Sequence, residues 1–372
     1  MTTGRALDSA AVTFNSAVMR LLVPAKINLH LRVGPRRPDG FHSLLSWMTT
    51  VGLFDNLLLE SKSPAEEQSL RNEGFGEGAG SGTGSQDASH RDPATLVTLE
   101  CDLPGLPCDE RNLVVKIALA MGHELRSASS GVRIIGSTGD MPHPARRAGG
   151  PVCLRPIHAI LNKHIPVGAG LGGGSSDAAH TLMGLNQLWE AGWAANDLSA
   201  FAARFGSDLS FFFHGPSSIC QGRGEIVTPI AKPTPQWAVV VLPRLSMPTA
   251  DVYRRFDEMK LGRDQDIDNQ PDWEAWACLG SEKLLPCLIN DLEPPAFDIA
   301  PQLGHLRSRV EDFIGRPVRM SGSGSSLFTL FNTKEEAEAA SKCIERNTNE
   351  SAPAVELAPI LKNDLNGMPS RG

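Results

Sequence analysis

Pro166-Val-Gly-Ala-Gly-Leu-Gly-Gly-Gly-Ser-Ser176, running on into Asp177-Ala-Ala-His180, is the stretch from which the fold is read. It holds five glycines and two serines, after the apolar-rich run Ile157–Ile165 and ahead of a run with helical spacing. Glycine has no Cβ, so such a loop lets bare backbone N–H groups close on an anion. The helix after it turns its positive dipole end to the same point. Phosphate is the natural guest. A strand-to-helix turn without a ligand needs only one or two glycines.

Three phosphate loops compete. A Walker A loop requires Gly-Lys-Ser/Thr, and no Gly-Lys pair occurs in the chain. Gly168, Gly170 and Gly173 satisfy the dinucleotide pattern G-x-G-x-x-G, a weak match in so glycine-rich a run. The third is a Pro-x-x-x-Gly-Leu-Gly-Ser-Ser loop. Pro166, Gly170, Leu171, Gly172, Ser175 and Ser176 resemble it, and it belongs to the GHMP small-molecule kinases.

With 372 residues the chain can build two cored domains or one large one. The net charge of -7 leaves no basic footprint for nucleic acid, so an anionic substrate needs local cations. Seven scattered cysteines without a C-x-x-C argue against a disulfide framework and a zinc site, and favour a reducing cytoplasm. No apolar run approaches the roughly 20 residues that span a bilayer. Met1–Arg20 lacks an apolar core and carries Asp8, which argues against a secretory signal; it reads as a disordered lead-in.

Ala25–Val33 alternates, with Ile27, Leu29, Leu31 and Val33 on one face and Lys26, Asn28, His30 and Arg32 on the other. That predicts a half-buried strand with a polar face free for chemistry. Further strands are expected at Ser46–Val51, Asn56–Glu60, Ala94–Cys101, Ile157–Ile165, Trp237–Leu242 and Val318–Met320; the loop Ser321–Ser326 follows the last, and Leu327–Phe331 after it reads as strand or helix. Helices are expected at Leu113–Leu125, Ser175–Glu190, Asp197–Phe205 (capped by Asn196), from Pro248 to Lys260, and at Glu335–Asn347. The glycine-alternating segment 61–93 and the Pro/Gly-rich segment 137–151 read as flexible insertions, and the tail from Ala358 as loose. Irregular alternation of strands and helices favours α+β over a doubly wound sheet.

Phosphoryl transfer to an alcohol needs held phosphates, a hydroxyl in line, a destination for its proton, and neutralised charge. The glycine loop supplies the first. Asp208, in the turn Phe205-Gly-Ser-Asp208 beside apolar residues, could accept the proton. The Lys26 ammonium would keep that carboxylate ionised and stabilise charge on the entering oxygen. Alone, Lys26 reads as an exposed strand lysine and Asp208 as a turn residue; the glycine loop is what lifts both.

The motifs Pro24-Ala-Lys-Ile-Asn-Leu29, Asp39-Gly-Phe-His42, Pro166–Ala179, Phe205-Gly-Ser-Asp208, Gly222-Arg-Gly-Glu225, Asn290-Asp-Leu-Glu293 and Met320-Ser-Gly-Ser-Gly324 run in order from about residue 21 to 335. Together they resemble the 4-diphosphocytidyl-2-C-methyl-D-erythritol kinases, a GHMP kinase family of the non-mevalonate isoprenoid pathway. The resemblance implies an α+β fold in two domains, at 21–218 (ribosomal protein S5 domain 2-like) and 219–357 (ferredoxin-like). It implies ATP and Mg²⁺ as cofactors, with the metal ligands left open, and a cytidine diphosphate-linked methylerythritol as substrate. It puts Lys26 and Asp208 in the catalytic pair, and Pro166, Val167, Gly168, Ala169, Gly170, Leu171, Gly172, Gly173, Gly174, Ser175 and Ser176 in the ATP loop. Asn28 would meet the acceptor. Phe41, where the family usually has tyrosine, would stack on the base opposite Tyr253, which follows Thr249, and His42 would meet the base edge. Ser321–Ser326 resembles the family's third motif. The implied protein is a monomer or homodimer with no nucleic-acid or membrane partner. A homoserine or mevalonate kinase, a non-catalytic GHMP-fold sensor and a dinucleotide-dependent oxidoreductase stand as the alternatives.

Overall fold

A computed structural model of the chain describes residues 17–61, 96–130 and 154–359. The segment 137–151, residues 62–93 of the glycine-rich insertion, and most of the expected lead-in and tail lie outside the described residues.

Two long strands set the frame. β1 (Ala17–Arg36) and β2 (His42–Ser61) pair antiparallel along almost their whole length. The other edge of β2 is shared: β5 (Ser217–Gly222) takes Leu44–Thr49, and β4 (Ile157–Asn162) takes Asn56–Ser61. β3 (Val97–Cys101) lies parallel to β4, and β6 (Ile226–Pro229) closes the far side against β5. A sheet that is antiparallel except for one pair agrees with the α+β expectation. β5 and β6 were not foreseen, and the boundary expected between residues 218 and 219 cuts through β5. Pairing with β2 carries the first sheet on to Pro229.

Helices α1 (Leu113–Ser130), α2 (Gly173–Leu188) and α3 (Ala195–Ala202) cover this sheet. Val114, Ile117 and Met121 of α1 join Leu182 and Leu185 of α2 in one core with Leu57, Leu59 and Leu161 of the strands. Asn196 does not cap α3; Ala194 holds the cap position in extended backbone, and the Asp197 carboxylate accepts its N–H at 3.0 Å. Residues 205–213, expected as a turn, wind into a short 3₁₀ helix, Ser207–Phe213.

The second sheet is antiparallel, in the order β10 (Ala354–Glu356), β7 (Trp237–Val241), β9 (Leu327–Phe331), β8 (Arg319–Met320). Its helices are α4 (Thr249–Glu258), α5 (Asp264–Asp268), α6 (Trp273–Ala277), α7 (Ser281–Leu284), α8 (Glu293–Ile299), α9 (Pro301–Ile314) and α10 (Lys334–Thr348). α5 to α9 carry no clean period in the sequence, being short or proline-started, and only the structure reveals them.

A second core joins the two sheets. Ala25, Ile27 and Leu29 of β1 and Leu45 and Trp47 of β2 pack with Leu284, Leu288, Phe328 and Leu330. This overturns the half-buried reading of β1: Lys26, Asn28 and His30, its polar face, are buried as well. The second unit covers that face, with the rings of Trp273 and Trp276 against His30. A buried polar face needs internal partners, and those partners build the site.

Candidate active site

Between the two units lies a cleft of about 460 Å³. Residues 166–175 of the glycine loop form one wall, Lys26, Asn28 and Asp208 line it, and Thr249, Tyr253, Gly322 and Ser323 face in from the second unit.

The loop is tied down at several points. The Lys26 N–H donates to Leu171 O at 2.9 Å and the Ser326 N–H to Ala169 O at 3.1 Å, so β1 and the second glycine-rich loop grip its two edges. The Ser321 hydroxyl donates to Gly170 O at 2.9 Å. Gly170 has φ +76°, and a Cβ there would stand 2.2 Å from Ser321 O. Gly172, in left-handed backbone at φ +67°, is the N-cap of α2, and a Cβ on it would strike the Lys26 side chain. Glycine is therefore required where the loop meets each neighbour. α2 starts at Gly173, two residues before the expected Ser175, so the first-turn N–H groups of Gly173, Gly174 and Ser175 have no intrahelical carbonyl to bond. Space beside Gly174 is open. The sequence-predicted Ser176 does not line the cleft. Helical rotation turns it inward, where its N–H bonds Gly172 O at 2.8 Å and its hydroxyl faces His180.

Lys26 and Asp208 come together. The Lys26 Nζ lies 3.2 Å from Asp208 Oδ2, with the lysine side chain 3% and the aspartate 36% exposed. The ammonium also donates to Asn28 Oδ1 at 2.6 Å, and the Asn28 amide donates to Ser46 Oγ at 2.9 Å. Asn28 thus aims the ammonium and is itself aimed by β2. Thr249 Oγ1 and Ser323 Oγ share a hydrogen bond of 2.9 Å, closing the rim between α4 and the second glycine-rich loop.

The expected base-pocket residues are more dispersed. Phe41 is 50% exposed, and the Arg223 guanidinium sits 4.9 Å from its ring centroid, within cation–π range. Tyr253 packs against His42 instead, centroids 5.2 Å apart. The His42 ring is buried: Nδ1 donates to Gly34 O at 2.9 Å, and Nε2 is 3.3 Å from Asp257 Oδ1. Arg223 was missed, although the arginine of Gly222-Arg-Gly-Glu225 was a visible signal.

Also missed was a charged cluster beneath the loop. Lys163 Nζ donates to Asp177 Oδ2 at 2.7 Å and to Asp55 Oδ2, all three side chains being buried. Asp55 Oδ1 accepts the N–H groups of His164 (2.6 Å) and Ile165 (2.8 Å), which ends β4 at Asn162 rather than the expected Ile165. Burial works against the Lys163 ammonium, but the Asp177 and Asp55 carboxylates outweigh it and hold its pKa above the ordinary lysine value. Burial pushes Asp177 up to about 7 against the pull of Lys163, with Asp55 adding to the rise. Asp177 Oδ1 has no hydrogen-bond partner. The detectable signal was an aspartate inside the apolar run Gly52–Leu59.

A glycine-rich, anion-ready helix N-terminus beside a buried lysine paired with a cleft-facing aspartate, in a cleft between two units, defines a GHMP-type small-molecule kinase. Residues 143–216 match the family model of the GHMP kinases N terminal domain and residues 274–350 that of GHMP kinases C terminal. A 4-diphosphocytidyl-2-C-methyl-D-erythritol kinase from Geobacillus thermodenitrificans (strain NG80-2) is 32% identical over 318 residues, 84% of this chain and 88% of the relative. One from Microcystis aeruginosa (strain NIES-843 / IAM M-2473) is 33% identical over 334 residues, 87% of this chain and 90% of the relative. A crystal structure of a 4-(cytidine 5'-diphospho)-2C-methyl-D-erythritol kinase superposes with a TM-score of 0.62 at 30% identity, covering 92% of this chain and all of its own. The chain belongs to the family of 4-diphosphocytidyl-2-C-methyl-D-erythritol kinases. No described helix is long and apolar enough to cross a membrane.

Proposed function

We propose that the chain transfers the γ-phosphoryl group of ATP to the 2-hydroxyl of 4-diphosphocytidyl-2-C-methyl-D-erythritol, a step of non-mevalonate isoprenoid precursor synthesis. The observation that carries this reading is the 3.2 Å Lys26–Asp208 contact inside the cleft walled by the glycine loop. The free N–H groups at the start of α2 hold the β- and γ-phosphates. Asp208 accepts the hydroxyl proton as the oxygen bonds the γ-phosphorus and the bond to the leaving ADP oxygen breaks. Lys26, held by Asn28, offsets negative charge on the entering oxygen and the transferring group. Phe41, His42, Thr249 and Tyr253 form the base end of the acceptor site, with Phe41 stacking on the cytosine through its π-face.

Magnesium typically binds one or two carboxylates plus substrate phosphates. No group of three or more potential metal ligands exists among the described residues. Two carboxylates line the cleft, Asp177 and Asp208, and Asp177 has an oxygen without a partner. These residues fit a metal carried by the nucleotide, and they would hold it there. When bound, the ion draws charge from the β- and γ-phosphates. The free cysteines among the described residues suit a reducing compartment, and we place the enzyme in the cytoplasm.

The test is phosphoryl transfer from ATP and Mg²⁺ to each acceptor, followed by ADP release and ³¹P NMR. The cytidyl compound should gain a phosphate monoester at the 2-position. Turnover of homoserine or mevalonate without turnover of the cytidyl compound overturns the reading.

A further inference from the structure

Tyr253 and Thr249 line the cleft from α4. Phe41, the proposed stacking residue, stands exposed on the turn between β1 and β2, outside the residues that line the cleft. The turn's own hydrogen bonds are local: Arg37 N–H to Phe41 O at 2.7 Å, Gly40 N–H to Arg37 O at 2.9 Å, and Phe41 N–H to Asp39 Oδ1 at 3.1 Å. They set the turn's shape but not its direction relative to α4. Asp257, one helical turn beyond Tyr253, faces both ends of that turn. Its Oδ1 lies 3.3 Å from His42 Nε2 and its Oδ2 3.7 Å from Arg36 Nη1. Arg36 and His42 are cross-strand partners, the last residue of β1 and the first of β2. The imidazole between them is fixed on every side: Nδ1 on Gly34 O, one face toward Tyr253, and the Phe256 ring edge-on at 5.7 Å. Nδ1 is thereby hydrogen-bonded inside the protein, and Nε2 is turned toward Asp257.

We infer that Asp257 is a positioning residue for the acceptor pocket: by holding His42 and Arg36 it docks the turn that presents Phe41 onto the helix that presents Tyr253 and Thr249. The inference rests on the cytidyl-kinase reading above, because it needs a nucleobase to be gripped there. Asp257 is partly exposed and touches neither the glycine loop nor the Lys26–Asp208 couple in any contact observed. Its loss therefore loosens the base end and leaves the phosphoryl end as it was.

The experiment compares wild type with Asp257→Ala, Asp257→Asn and Asp257→Glu in steady-state kinetics, with calorimetric titration of CDP as the probe. Circular dichroism and thermal melting confirm folding of each variant. In the alanine and asparagine variants the KM for the cytidyl acceptor and the Kd for CDP should rise about tenfold, the loss of one charge-assisted contact. The kcat and the KM for ATP should hold, and glutamate should recover most of the CDP affinity. Wild type that binds CDP alongside an alanine variant that binds it equally well overturns this inference alone. Loss of kcat at unchanged CDP affinity also overturns it. Wild type that neither binds CDP nor phosphorylates the cytidyl acceptor removes both this inference and the functional reading.

Discussion

Asp208 keeps an open side in the cleft while its other side meets Lys26, so it can receive a proton and hand it to solvent. Replacing it with asparagine preserves shape and removes the acceptor. Asp208→Asn should bind ATP and the cytidyl acceptor with near-normal affinity and lose about a hundredfold or more in kcat, the usual scale for a general base. Single-turnover kinetics with titration of both ligands checks it; an unchanged rate removes Asp208 from the chemistry. Lys163 tests the buried cluster. Removing its ammonium leaves Asp55 and Asp177 facing each other in the interior. Lys163→Met should destabilise the fold by about 3–5 kcal/mol, as expected when one member of a buried ion pair is deleted, read as a lowered midpoint in urea. Lys26 and Asp208 were legible in the sequence because each sits beside a motif of known chemistry. Asp55, Lys163 and Asp177 were not, because their meaning lies in a meeting of three distant positions that no local spacing announces.

At the scale of elements, the loop before α2 works because its backbone reaches places a side chain would fill. Gly170 shows this most sharply, pressed against Ser321 O in left-handed backbone. Gly170→Ala must push the two glycine-rich loops apart or distort both. It should raise the KM for ATP more than the KM for the acceptor and lower stability by about 1–3 kcal/mol, the range for strain at a special backbone position. Gly174→Ala, where space is open, is the control and should be mild in stability. Kinetics and urea melts on the pair decide it; equal effects at both positions would mean that helix propensity, not loop contact, governs the segment. The glycine run, the alternation of β1 and the long helices were readable because each has a period or a composition. The end of β4 and the cap of α3 were misjudged for one reason: an aspartate side chain, Asp55 or Asp197, takes the backbone N–H groups and resets the boundary. β5 and β6 escaped because short strands are recognised by their partner, here β2, and not by their own residues.

At the scale of the whole molecule, the core between the two sheets packs β1 and β2 against the second unit, and β1 also supplies Lys26 and Asn28 to the cleft. Its alternation was read correctly, but the second unit's cover over the polar face was invisible from β1 alone, since it depends on Trp273 and Trp276 far along the chain. That cover makes His30 a pH sensor of the assembly. Its Nδ1 accepts the Ile289 N–H at 3.2 Å, and a proton there would set donor against donor. Burial first, then the Arg32 charge, lower its pKa from 6.5 to about 3. The unfolded chain thus binds a proton on this group at a pH where the folded protein refuses it. The stability it contributes is complete above about pH 6.5 and is lost as the pH falls toward 3, at about 1.4 kcal/mol per pH unit from this group. His180, pushed down to about 4 by burial, acts with the same sign. His30→Asn retains an acceptor for Ile289 and removes the titration. Urea midpoints measured from pH 7.5 down to pH 4.5 should therefore fall more steeply in the wild type than in the variant, with His180 leaving a residual slope in both. Parallel slopes would mean that the two units already separate around His30 before it takes up its proton.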